Sequence, residues 1–141
     1  MKVKISVSYN AGKLASQMPK IVEKYMQRYA RSAEKGSKEA IDKGLSPHLE
    51  DSTLKIRKNR KITGTKPLYE TGNLYRSIKG TSEGLQMLNY GLLHHRGFTT
   101  DPKSMIPNKR VPAREFIGAS KKEILSVFNK LRKDIRKAFK K

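Results

Sequence analysis

His94-His95-Arg96 is the one run in the chain whose residue types suit proton transfer or metal chemistry. Read as a strand, neighbouring side chains point to opposite faces, so the two imidazoles cannot share a metal without a sharp turn. The third histidine, His48, has no ligand spacing to them. For hydrolysis, His94 needs an acid or a second base at a defined position, and Asp101 or Glu83 can be nominated only arbitrarily. The favoured reading is a histidine hydrogen-bonded at a strand end, with no catalytic residue, no cofactor and no metal ligand assigned. Gly72 and Gly97 stand in isolated Thr-Gly and Arg-Gly pairs, without the spacing of a loop that cradles phosphate. They read as backbone punctuation: Gly97 for a positive φ where the chain leaves the sheet, Gly72 for a close approach at the start of a turn.

Charge is the second feature with chemical content. Lys and Arg number 32 against 12 Asp and Glu, a formal net charge of +20, which draws polyanions and serves equally to dock on an acidic protein rim. The densest block is Lys55, Arg57, Lys58, Arg60, Lys61 and Lys66, with no acid between Ser52 and Tyr69. Such a block is ordinarily a solvated surface arm, and its sharper reading is a contact for phosphate or for a partner. With no cysteine, disulfide and thiolate chemistry are excluded. At 141 residues the chain is expected to form a single domain able to bury a core. A hydrophobic content of 35% with no Trp is lean, which predicts either apolar faces completed by neighbouring subunits or mobile segments.

The elements that position these residues follow from periodicity. Residues 1–9 alternate Lys and Ser with Val, Ile and Tyr, a strand pattern and not a signal-peptide core. No apolar run approaches the length of a membrane span, so the chain is expected in the cytoplasm. Apolar residues at three- and four-residue steps predict an amphipathic helix from about Lys13 to Lys43, regular from near Met18 because Pro19 suits a first turn. Gly36, costly inside a helix, marks a bend or a close contact. A short helix is expected from Asp51 or Ser52 to about Lys58. Thr71 is expected to cap a turn that places Leu74 and Ile78 on one face, and a hairpin to turn through Gly80–Gly84. Gly97 to Pro112 carries three prolines and reads as a long irregular loop, functional or unordered until bound. Pro112-Ala113 leads into a strand at Arg114–Ile117, with Phe116 and Ile117 on opposite faces. From about Ala119, an apolar stripe from Ile124 to Phe139 on an otherwise basic helix predicts packing on the sheet or on a neighbour; lying on a membrane surface is the other reading of such a helix.

Three short runs occur in order between Leu68 and Gly118: Leu68-Tyr69-Glu70-Thr71-Gly72-Asn73-Leu74-Tyr75-Arg76-Ser77-Ile78, then Tyr90-Gly91-Leu92-Leu93-His94-His95-Arg96-Gly97, then Val111-Pro112-Ala113-Arg114-Glu115-Phe116-Ile117-Gly118. In this order they resemble the Mu-like virion morphogenesis family of tailed bacteriophages, proteins of the tail-completion or neck type. The family carries Leu…Thr-Gly-x-Leu-x-x-Ser-Ile, Tyr-Ala-x-x-His-Gln-x-Gly and Ile-Pro-Ala-Arg-Pro-Phe-Leu-Gly. The chain departs from it at Gly91, where the family usually has Ala, at His95, where it often has Gln, and at Glu115, which replaces a Pro.

The resemblance implies a small α+β subunit with an antiparallel sheet, a long N-terminal helix and a C-terminal amphipathic helix, assembling as a ring where head and tail meet. It implies a structural role, with no enzyme activity. Partners would be further copies of itself, other neck, tail-terminator, tail-tube or head-completion proteins, and packaged DNA. The interface residues expected are His94, His95, Arg96, Gly97, Phe98, Met105, Ile106, Arg110, Arg114 and Phe116, together with the basic arm. The rival class is a nucleic-acid-binding protein gripping phosphates with the 55–66 arm and the C-terminal helix; a third is a small nuclease using His94 or His95.

Overall fold

A computed structural model describes residues 11–139, and the strand expected over residues 1–9 lies outside them. The chain is α+β. Its spine is α1 (Ala11–Lys43), followed by α2 (Asp51–Asn59), α3 (Asn73–Ser77), a ribbon of β1 (Lys79–Thr81) and β2 (Gly84–Gln86), α4 (Asn89–Arg96), a second ribbon of β3 (Phe98–Thr99) and β4 (Arg110–Val111), and α5 (Lys121–Phe139). The two antiparallel ribbons are separate two-stranded sheets. In the first, Gly80 faces Leu85, and only Ser82 and Glu83 make the turn, tighter than the glycine-bounded loop expected.

The apolar stripe of α1 explains the layout. Ile41 and Leu45 close with Leu74, Ile78 and Phe116 into a buried cluster, padded by Ala40, Leu68, Tyr75, Leu85, Met87 and Ile117. Further towards its N-terminus, the same stripe is covered less, and Val22, Met26 and Tyr29 stay exposed. The helix is continuous through Pro19 instead of starting at Met18. Proline leaves the carbonyl four residues earlier unpaired, and Ala15 is exposed, so water can serve it. Along the opposite flank α5 runs antiparallel. Asp134 accepts hydrogen bonds from the Tyr25 hydroxyl at 2.8 Å and the Lys24 ammonium at 3.1 Å. Those bonds hold the Asp134 carboxyl below its ordinary pKa, while burial and the same carboxylate raise that of Tyr25. Ser120 and Glu123 form a reciprocal capping box, with Glu123 N–H donating to Ser120 Oγ and Ser120 N–H to Glu123 Oε2, so α5 begins at Lys121.

Two glycines let backbone meet backbone on α1. A Cβ on Gly80 would fall onto the Ala30 carbonyl group, so the first ribbon rests directly on the helix, secured by the Gly80 N–H to Glu34 Oε2 bond of 2.8 Å. A Cβ on Gly36 would strike the Gly118 carbonyl oxygen and lie 3.1 Å from Ala119 Cα. Gly36 is therefore the close contact of the two readings offered, made to the segment that precedes α5.

Replacing Gly36 by Ala tests this packing with opposed signs. Helix propensity alone would stabilise by about 1 kcal/mol. Collision with rigid backbone costs about 1–3 kcal/mol. The expected outcome is a lower urea midpoint with an unchanged m-value; a higher midpoint would show that residues 118–119 do not lie on α1.

Candidate functional site

The three motif runs, far apart in sequence, converge on α4. That element is a helix, not the strand expected for His94 and His95: Gly91 N–H bonds to the Leu88 carbonyl, and Gly97 ends the helix at φ +75°. On a helix, His94 and His95 are about 100° apart, so they still serve different neighbours. His95 turns inward, and its Nδ1 accepts from Phe116 N–H at 3.1 Å and Ile117 N–H at 3.3 Å, with its ring edge-on to Phe116. The His94 carbonyl accepts from Arg114 N–H at 2.9 Å, and its ring packs edge-on to Tyr90 and Phe98. Residues 114–117 form no strand. Their extended backbone finds its acceptors on α4 instead of on a neighbouring strand, and Gly118 N–H continues the pattern by donating to Ser37 Oγ.

The glycines fit this interlock. A Cβ at Gly91 would stand 2.8 Å from both Leu74 Cδ1 and Met87 Sδ, so glycine here lets α4 close on the core. A Cβ at Gly97 would stand 2.7 Å from Ala113 N. Gly72, at φ +73°, is itself the N-cap of α3; Thr71 does not hold that position, its Oγ1 receiving only a long 3.4 Å bond from Asn73 N–H. Arg76 completes the cap through the Thr71 carbonyl and Asn73 Oδ1.

The segment 97–112 is a hairpin and not an irregular loop. Phe98 pairs with Val111 and Thr99 with Arg110, and Thr100 organises the turn by donating its hydroxyl to the Ile106 carbonyl and accepting from Lys109 N–H. Met105 at its tip is 98% exposed. Lys109 reaches across to Glu50 at 2.6 Å, tying the hairpin to the start of α2 and lowering the Glu50 pKa.

Between the hairpin, α2 and α3 lies a cleft of about 460 Å³. Thr53 and Arg57 line it from α2 and Leu49 from just before that helix, Thr71, Gly72 and Leu74 from the first motif, Tyr90 and His94 from the second, and Arg114 from the third. Arg114 is buried, donating through Nε to the Pro47 carbonyl at 2.8 Å and through an Nη to that of His48. Burial pushes its pKa down. Burial first, and then Arg114, lower the pKa of His94, whose Nδ1 has no hydrogen-bond partner.

Several expected interface residues are therefore internal. Phe116 is core and Arg114 is buried, whereas Arg96, Met105, Ile106 and Arg110 are exposed. The basic arm divides in the same way. Lys55, Lys58, Arg60 and Lys61 are exposed, Arg60 pairing with Glu70 at 3.7 Å, but Arg57 is buried and folds the arm around itself through the Gly64 and Lys66 carbonyls. Lys66 donates to the Asp42 carbonyl. Nothing in the local sequence separates Arg57 from its basic neighbours except its four-residue spacing from Thr53 and Leu49. Among the described residues no cluster of three or more His, Asp or Glu could hold a metal, and no helix is long and apolar enough to cross a membrane. No family model, curated protein or solved structure matches the chain.

Arg57→Met is expected to cost about 2 kcal/mol, the scale of hydrogen bonds to a charged group. The exposed triple change of Lys58, Arg60 and Lys61 to Ser should stay within about 0.5 kcal/mol per site. Chemical denaturation of both variants checks the division, and equal losses would refute it.

A second expectation concerns pH. His94 has its folded pKa below the ordinary 6.5, so protons bind more readily to the unfolded chain. Its contribution is present above pH 6.5 and is lost as pH falls through the folded value. Stability should drop more between pH 7.5 and 5.5 in the wild type than in His94→Gln; identical pH dependence would remove His94 from the account.

Proposed function

We propose that the chain is a structural subunit of a tailed-phage virion, a tail-completion, neck or head-tail connector component that forms a homo-oligomeric ring joining tail to head. The observation that carries this reading is how the motif residues are used. His94, His95, Gly91, Gly97 and Arg114 hold backbone segments against one another, and no acid stands within hydrogen-bonding distance of either imidazole among the described residues. The order of the three motif runs supplies the family likeness.

The surface supports a docking role as well. Leu92, Leu93, Met105, Leu125 and Phe128 all face solvent and are free to meet neighbouring subunits. Around them the basic surface suits acidic rims of neck, tail-tube or head-completion partners, and packaged DNA passing through a ring. Copies carrying +20 repel one another in dilute buffer, so ring closure depends on salt or on an acidic partner. The protein would be made in the host cytoplasm and end in the virion at the head-tail junction.

Sedimentation across a salt series, with imaging of intact particles, tests the proposal. A ring that forms at raised salt or with partner, and several copies at the virion neck, are the expected results. A monomer at every salt concentration that binds DNA with a steep inverse salt dependence would favour the nucleic-acid-binding reading. Assays on DNA, RNA and peptidoglycan with divalent metals should show no turnover; robust activity lost in His94→Ala would overturn the structural role.

A further inference from the structure

Arg57 and Arg114 are 6% and 7% exposed, and both line the same cleft. Each guanidinium offers five N–H donors. Arg57 spends one nitrogen on the Gly64 and Lys66 carbonyls, and its Nε is buried with no acceptor. Arg114 spends two on the Pro47 and His48 carbonyls. All four acceptors are neutral, and among the described residues no carboxylate stands within ion-pair distance of either arginine. The acids on the cleft wall are engaged elsewhere, Glu50 with Lys109 and Glu70 with Arg60. Glu50 acts on Arg114 only through space.

Burying a charge without an opposite charge is costly, and here two are buried facing one cleft. Arg110 adds further positive charge to its wall, while Lys109 and Glu50 offset each other there. The rest of the wall includes Leu68, Leu74, Ile106 and Val111. A volume of about 460 Å³ belongs to the range of small-ligand sites.

We propose that this cleft is a binding site for an oxyanion carried on an apolar body: a carboxylate or phosphate group facing Arg57 and Arg114, with hydrocarbon against Leu68, Leu74 and Ile106. A guanidinium fork matches both oxyanions. The apolar wall selects an amphiphilic acid over a bare ion, and a walled cleft suits a single group better than a continuous phosphate backbone. This assignment rests on the cleft alone and stands whether or not the chain serves a virion.

The test uses the full ¹⁵N-labelled chain, following the arginine Nε–H signals and the amides of Thr71–Leu74. The probes are 4-phenylbutyrate, inorganic phosphate, a short DNA single strand and sodium chloride at matched ionic strength. Expected is saturable movement of these signals with phenylbutyrate at lower concentration than with phosphate, and none with chloride. Arg110→Ser, at the exposed edge of the cleft, should weaken binding about two- to fivefold, the scale of one partly exposed charge contact, while Lys130→Ser on α5 leaves it unchanged. Saturation by phosphate alone would retain the oxyanion site and overturn the apolar selection. Movement with DNA alone, equal effects of both substitutions, equal movement with chloride, or no movement with any probe would overturn the proposal.

Discussion

A backbone segment that crosses a protein interior without a neighbouring strand must find acceptors for its N–H groups on side chains or loops. Residues 114–118 are such a segment. Arg114, Phe116, Ile117 and Gly118 donate in turn to the His94 carbonyl, the His95 ring and the Ser37 hydroxyl. That ladder sets Phe116 into the core beside Ile41, carries Gly118 onto Gly36, and thereby fixes where α5 starts. Nδ1 of His95 is the shared acceptor, which holds the ring with that edge towards residues 116–117.

What was legible in the sequence follows the range of the interactions. α1, α2 and α5 are long enough, or bounded clearly enough, for a 3.6-residue period to be read, and the first ribbon is bracketed by turn residues. Residues 89–96 are too few for a period and carry a glycine and paired histidines, so their sequence reads as a strand. Residues 114–117 have the alternation of a strand because they are extended, but pairing is a property of two segments, and here the second is a helix. The second ribbon was hidden by its prolines, since Pro102 and Pro107 lie in the turn and Pro112 just beyond β4. Ser120 and Glu123 have the spacing of a capping box, which is legible in the sequence at the head of the apolar stripe.

For the cleft, the residue types were visible and their placement was not. Thr71, Gly72, Leu74, His94 and Arg114 stand in the three motif runs, and the fold brings them to the same cleft. By sequence Arg57 belongs with a surface arm, because a charged block is usually solvated, whereas two loop carbonyls and the face of α2 draw it inward. The charge pattern therefore contains two populations. Exposed lysines and arginines set the long-range field, and the pair of internal guanidiniums ties irregular loops to the body of the domain.

The pairing of α1 with α5 also has a consequence in time. The Tyr25 and Lys24 bonds to Asp134 join residues separated by 109 and 110 positions. At a synthesis rate of about 5–20 residues per second, the interval between the appearance of Lys24 and that of its partner is roughly 5–20 s. During it, the half of α1 that bears Tyr25, buried in the finished fold, emerges without the helix that flanks it. The nascent chain thus spends seconds presenting a helical apolar stripe edged with lysines and arginines, whose mutual repulsion hinders one unfinished copy from meeting another before α5 can dock.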